Sequence, residues 1–265
     1  MILKFELSRM MRKNLIGYIS ITLISIILFL LFNVVIFNES NIKNILANSN
    51  QKILAIFDIN KDTFTTVIGY YGFIFKILSI ICAIYSINLG IEVATFDKKN
   101  NIRDFLYSKP IKRKNIILYR ILGAFIYIFS LTLIIFLLSI LLFSLTHCSY
   151  NVLDIIKIDL ALLLLMIMFF SLGIVIGGFN HQAHSWIISV TTLLIFFIIH
   201  IVDILVPFKF LYFINPLSYF NVTSITQTNI DLKIVLVTLF IIAFLLSFGI
   251  SVYENKLNEE KNNPV

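Results

Sequence analysis

Long apolar runs alternate with short polar segments along the whole chain. A bilayer core takes about 20 apolar residues per helix. Six stretches reach that length: residues 15–37, a run within 64–96, then 116–145, 160–179, 185–206 and 232–252. Strands of a membrane barrel would alternate with a period of two. Here successive residues are apolar, as in "SWIISVTTLLIFFIIHIVDILV", so the pattern predicts transmembrane helices. Ahead of the first run, "MILKFELSRMMRKN" sets Leu3, Leu7, Met10 and Met11 at helical spacing against Lys4, Ser8, Arg9 and Arg12. That spacing predicts an amphipathic helix over 1–14 lying in the membrane interface. An ordinary basic flank without a defined helix is the plainer alternative. A six-helix transmembrane domain over 15–253 and a polar tail over 254–265 complete the expected organisation. The first apolar run exceeds the roughly 7–15 residues of a signal-peptide core and no A-x-A site follows it, which marks it as a span.

Composition sharpens the class. The chain of 265 residues is 59% apolar and 13% charged, with a mean hydropathy of +0.97. Soluble domains carry about 45–50% apolar and about 25% charged residues. So apolar a chain of this size has no wettable exterior, and the class is all-α integral membrane. The net charge of +7 then reports orientation and contact with anionic lipid rather than nucleic acid. Fourteen of the 21 Lys and Arg residues, including all five arginines, fall before the first span, between spans two and three, and in the tail. The positive-inside rule puts both termini in the cytoplasm; the Ile, Lys and Asn bias suggests an AT-rich, bacterial genome, and a plasma-membrane location is expected. Cys82 and Cys148 form no C-x-x-C and read as structural thiols. His181 and His184 have helical ligand spacing but no third ligand nearby, so no metal site is expected.

The charge is densest around Pro110, in "DKKNNIRDFLYSKPIKRKNIILYRILGA". Without interleaved exposed aromatics or a reading motif, this is no nucleic-acid patch. One reading is a loop that only orients the protein. The other is a docking helix for a cytoplasmic partner within 97–115. Ile102, Phe105 and Leu106 stand at i, i+3 and i+4 with Arg103 beside them, and Pro110 stops the helix ahead of Arg113. Orientation alone gives no reason for that apolar stripe.

Polar residues inside spans mark functional positions. Lys76 lies 21 residues before Asp97, roughly 31 Å along a helix, and Asp203 lies 18 residues beyond Ser185, about 27 Å. Lys76 and Asp203 are therefore expected at similar depth, closing the outer end of a path as a charge pair. His200, three residues before Asp203 on the same face, is read as a polar neighbour of that pair, with a proton carrier as the alternative. Snorkelling of Lys76 to the outer head groups is the simpler alternative. Asn88 and Glu92 stand one turn apart at the cytoplasmic end of span two, facing the N-terminal helix, the loop cations or solvent. Gly173 and Gly177 form a G-x-x-x-G in span four, permitting close helix packing; contact within one subunit is the expectation.

Taken together, the short helix, "KPIKRKNI" and the long third span resemble the ABC-2 type permeases, the membrane subunits of one class of ATP-driven exporters. The family's loop reads like E-x-x-x-G-T-L-x-x-L-x-x-x-P-I-S-R. Phe105, Leu106, Pro110, Ile111 and Arg113 match it; Asn101 and Ile102 stand in place of the Gly-Thr pair, and Lys112 in place of Ser. "LYFINPLSYFNVTS" is similar to the family's L-S-P-F-x-Y-F stretch, with Asn215 in the Ser position. The resemblance implies a type V exporter-like fold in which two permeases, identical more readily than different, each dock a separate ABC ATPase through the loop helix. ATP and Mg would sit on that partner, because this chain has no G-x-x-x-x-G-K-[ST]; it is not expected to be an enzyme. The implied cargo is hydrophobic or amphipathic, foremost a peptide such as a phenol-soluble modulin or an antimicrobial peptide, with lipid-linked cargo and small drugs as alternatives. A non-transporting intramembrane enzyme or signalling protein is the rival class, but no HExxH, paired Asp or Ser/Lys arrangement supports it.

Overall fold

The computed structural model describes residues 2–99, 113–146, 148–179, 185–206, 215–220, 222 and 231–262. Six of its helices are long and apolar enough to cross a membrane: α1 (Ile2–Phe37), α4 (Val67–Lys99), α5 (Arg113–Ser144), α6 (Val152–Phe179), α7 (Ser185–Leu205) and α9 (Leu232–Asn262). Three short helices, α2 (Glu39–Asn48), α3 (Gln51–Ile56) and α8 (Pro216–Tyr219), lie between them. The protein is an all-α integral membrane protein whose spans alternate in direction. The starts of α1 and α5 and the end of α4 share one end of the bundle, the basic end. The helices α3 and α8 sit at the opposite end.

Sequence and structure differ at several boundaries. No break separates an interfacial helix over 1–14 from the first span: α1 is one helix of 36 residues, about 54 Å long. Its inward face there carries Glu6, Met10 and Asn14 at i, i+4 and i+8, all buried. α6 begins eight residues ahead of the predicted 160, where the Asn151 side chain accepts from Leu153 N at 3.1 Å. α9 continues ten residues past the predicted 252, into the tail. α2 and α3 were not expected, because their segments are polar and short. Local caps make them: Asn50 Oδ1 accepts from Lys52 N at 2.9 Å at the start of α3. Lys61 Nζ donates to the carbonyls of Ala47 at 3.0 Å and Ser49 at 2.8 Å, at the end of α2.

The centre of the bundle is the crossing of α4 and α6, the most extensive helix–helix contact. A Cβ on Gly173 would lie 2.3 Å from the Ile87 carbonyl oxygen, and one on Gly90 would lie 2.3 Å from that of Phe170. One turn on, a Cβ on Gly177 would lie 2.9 Å from Ile91 Cα. The Gly173–Gly177 pair thus packs within the chain, and Gly90 is the facing position that makes the approach mutual. α9 rests on the outer side of α6, with Gly249 against Ile174 and Gly178 against Val252. α1 packs mainly on α5, and α7 on α4.

Candidate functional site

Lys76 sits nine residues into α4, about 14 Å from its start, and is only 1% exposed. A lysine so placed requires a counter-charge and acceptors. Its ammonium donates to the Leu217 carbonyl at 3.0 Å and lies 3.6 Å from Asp58 Oδ2. Asp58 follows α3 and has φ 55, a left-handed conformation that Asp tolerates better than most residues. Burial raises the Asp58 carboxyl above its ordinary range, with the Lys76 ammonium pulling the other way.

The Leu217 carbonyl is presented by α8, a single turn starting at Pro216. Asn215 caps that turn by accepting from Leu217 N at 3.1 Å and donates its amide to Ser218 Oγ at 2.9 Å. Ser218 Oγ is a hub. It donates to Asp203 Oδ2 at 3.1 Å and lies 3.1 Å from His200 Nδ1. A hydroxyl has one proton and two lone pairs. With the proton on the Asp203 bond and one lone pair taken by Asn215, the remaining lone pair faces His200 Nδ1. Lys76, His200 and Asp203 do converge at one depth, yet the expected Lys76–Asp203 charge pair does not form. Asp58 is the carboxylate beside Lys76, and Asp203 joins through Ser218. Nor does Lys76 snorkel: its head group is turned into the protein, where Asp58 and Leu217 replace water. Above the cluster, Asp58 helps wall an open cavity of about 450 Å³ with Gln51, Leu54, Asn60 and Asp62.

Ser218→Ala is expected to destabilise the protein by about 1–3 kcal/mol, since three polar groups lose one partner together. Heating followed by size-exclusion profiles would read the loss, and Ser218→Thr should retain most of the stability.

The basic end is fastened by charges from three helices. Arg120 is fully buried in α5. Its Nε donates to Glu6 Oε1 at 3.3 Å, and the other Glu6 oxygen lies 2.6 Å from Arg9 Nη2. Both guanidinium groups lie over the Phe96 ring of α4, with Cζ 3.4 Å and 4.8 Å from its centroid, a cation–π arrangement. The Tyr85 and Tyr127 hydroxyls lie 2.7 Å apart and converge on the Asn14 carbonyl at 3.2 Å and 3.0 Å. Glu92 faces α1, 3.3 Å from Lys13 Nζ and 3.5 Å from Asn14 Nδ2. Asn88, one turn away, is buried. Of the proposed docking residues, Ile102, Arg103, Phe105, Leu106 and Pro110 lie outside the described residues, as do His181 and His184; Arg113 opens α5.

The sequence family described as ABC-2 type transporter matches residues 1–228, from α1 to just short of α9. The chain belongs to the ABC-2 type transporter family. It is therefore a membrane permease component of an ABC transporter, a multi-pass protein that works with an ABC ATPase. A comparison with curated proteins gives no match. In this ABC-2 permease, the stretch at 215–218 resembling the family's second motif supplies the Ser218 hub and the carbonyl that holds Lys76. Sequence reasoning missed Asp58, Glu6 and Arg120. Arg120 carried a signal, an arginine inside "NIILYRILGAF", where a charge among apolar residues implies a buried partner. Asp58 stands in a non-periodic segment and carried none.

Proposed function

We propose that this permease forms the translocation path of an ATP-driven exporter for hydrophobic or amphipathic cargo, with peptides as the cargo class. Two copies of the chain pair in the plasma membrane with both termini in the cytoplasm. Each docks one ATPase subunit, which binds ATP and Mg, through the segment containing Ile102, Arg103, Phe105, Leu106, Pro110 and Arg113. The observation that carries this reading is α4. It runs unbroken from Val67 to Lys99, so a single rigid element joins the docking segment to Lys76, 23 residues or about 34 Å away.

Nucleotide-driven approach of the ATPases would push the docking segment and move α4 with it. Motion at the far end shifts Lys76 relative to Asp58 and the Leu217 carbonyl, both of which belong to other elements. Loss of those contacts opens the end of the path; their return closes it. His200, Asp203 and Ser218 hold α7 to α8 while this happens.

The docking step is tested by co-purification. Phe105→Asp with Leu106→Asp should release the ATPase while the permease keeps its size-exclusion profile and thermal midpoint, and ATP-dependent uptake of a fluorescent amphipathic peptide by inverted vesicles should fall to background. Retention of the ATPase by a well-folded double variant would refute docking at this segment.

A further inference from the structure

At the basic end, an open cavity of about 430 Å³ lies against Ser8, Arg9, Arg12 and Lys13 of α1. These form two i, i+4 pairs, Ser8 with Arg12 and Arg9 with Lys13. Arg9 and Lys13 are engaged by Glu6 and Glu92. Ser8 and Arg12 are exposed, and neither side chain has a hydrogen-bond or ion-pair partner among the described residues. Nor does the charge cancel. The described side chains at this end carry four cations, Arg9, Arg12, Lys13 and Arg120, against two carboxylates, Glu6 and Glu92, an excess of two.

The level of this face in the membrane says what covers it. α1 has no break on either side of Leu15, so it rises straight out of the apolar run that begins there. Arg12 stands about 5 Å and Ser8 about 10 Å beyond Leu15. The head-group layer on each side of a bilayer is about 5–8 Å thick, so Arg12 stands in the layer of lipid phosphates. Helical side chains tilt toward the N-terminus, which leans the guanidinium outward to Ser8. In the other direction Ile16, Ile19 and Leu23 continue the stripe at i+4, i+7 and i+11 from Arg12. All three are exposed, Ile16 to 82%. One stripe thus passes from free polar donors at the phosphate level to uncovered apolar side chains at the acyl level.

We infer that this face of α1 is a binding site for an anionic phospholipid. The Arg12 guanidinium donates two parallel N–H bonds to the phosphate oxygens, the Ser8 hydroxyl donates a third, and one acyl chain lies along Ile16, Ile19 and Leu23. Arg9 and Lys13 flank the phosphate and add to the positive field. A choline or ethanolamine head group carries its own cation beside the phosphate, so the excess charge at this end selects lipids that lack one.

The test uses the full chain in nanodiscs of equimolar phosphatidylglycerol and phosphatidylcholine, with native mass spectrometry counting the lipids retained after extraction. The protein should retain phosphatidylglycerol several-fold over phosphatidylcholine. Ser8→Ala with Arg12→Gln should abolish that preference at an unchanged thermal midpoint, since both side chains are exposed. Arg12→Gln alone should lower it severalfold and serves if the double variant folds poorly. Lys233→Gln removes an exposed cation at the opposite end and should leave the preference intact. Equal retention of both lipids by the unaltered protein would overturn the inference. So would an equal loss from Lys233→Gln, which would make the preference one of net charge alone. Displacement of phosphatidylglycerol by millimolar inorganic phosphate would make the face a free-anion site and refute the lipid. Release of a co-purifying ATPase by the double variant, with lipid retention unchanged, would assign the face to that partner and equally refute it.

Discussion

Lys76→Met is expected to lower stability by about 3–5 kcal/mol, the usual consequence of removing one member of a buried ion pair. The lysine is buried against Asp58 and the Leu217 carbonyl, and methionine can replace its volume but neither its charge nor its donors. Lys76→Met combined with Asp58→Asn should recover a substantial part of the loss, because the amide needs no counter-charge. The pH dependence has a definite sign. Burial raises the folded-state pKa of Asp58, so the stability linked to this group is fullest under acidic conditions and falls as pH rises through that value. Removing Lys76 takes away the influence that lowers the pKa, so the deficit of Lys76→Met should be small in acid and grow toward alkaline pH. Thermal midpoints of the variants across a pH series would show it. A deficit independent of pH would mean that the Asp58 charge is not what Lys76 offsets.

Gly173→Ala is expected to be nearly as damaging through a different cause. The added methyl would lie 2.3 Å from the Ile87 carbonyl oxygen and 3.0 Å from Ile87 Cα. Those are backbone atoms, which no change of rotamer moves aside, so α4 and α6 must part along their closest contact. Overpacking of this kind typically costs about 1–3 kcal/mol and sometimes more, and this site belongs at the upper end. Gly123→Ala is the control. Its methyl would come no nearer than 3.6 Å to Met10 Sδ, and alanine favours a helix over glycine by up to about 1 kcal/mol, so stability should hold or rise. If both variants gave the same thermal midpoint and the same monodisperse profile, close α4–α6 contact would not be what holds the bundle.

Much of this was legible in the sequence, because transfer into a bilayer depends on local composition. All six spans could be read from hydropathy, and Gly173 with Gly177 from spacing. Counting residues along the helices sufficed to bring Lys76, His200 and Asp203 to one level. Partners were harder. Asp58 reaches Lys76 from a loop whose course depends on the Asn50 cap and a left-handed turn. Glu6 and Arg120 are 114 residues apart, and only the packing of α1 on α5 joins them. The Asp154–Lys157 pair made the start of α6 look like a polar loop, so the predicted span began late. The basic loop and the second motif nonetheless pointed to the right family, because their order and spacing along the chain carry more than either motif alone.

The meeting of α4 and α6 constrains how this permease can change shape. Where main chain touches main chain, at Gly90 with Phe170 and Gly173 with Ile87, neither helix can slide or roll past its neighbour without a clash. The two behave as one double-width strut, so displacement at the basic end arrives at Lys76 without slippage. Rearrangement is left to the lightly seated α7 and α9, most of whose surface faces away from the bundle.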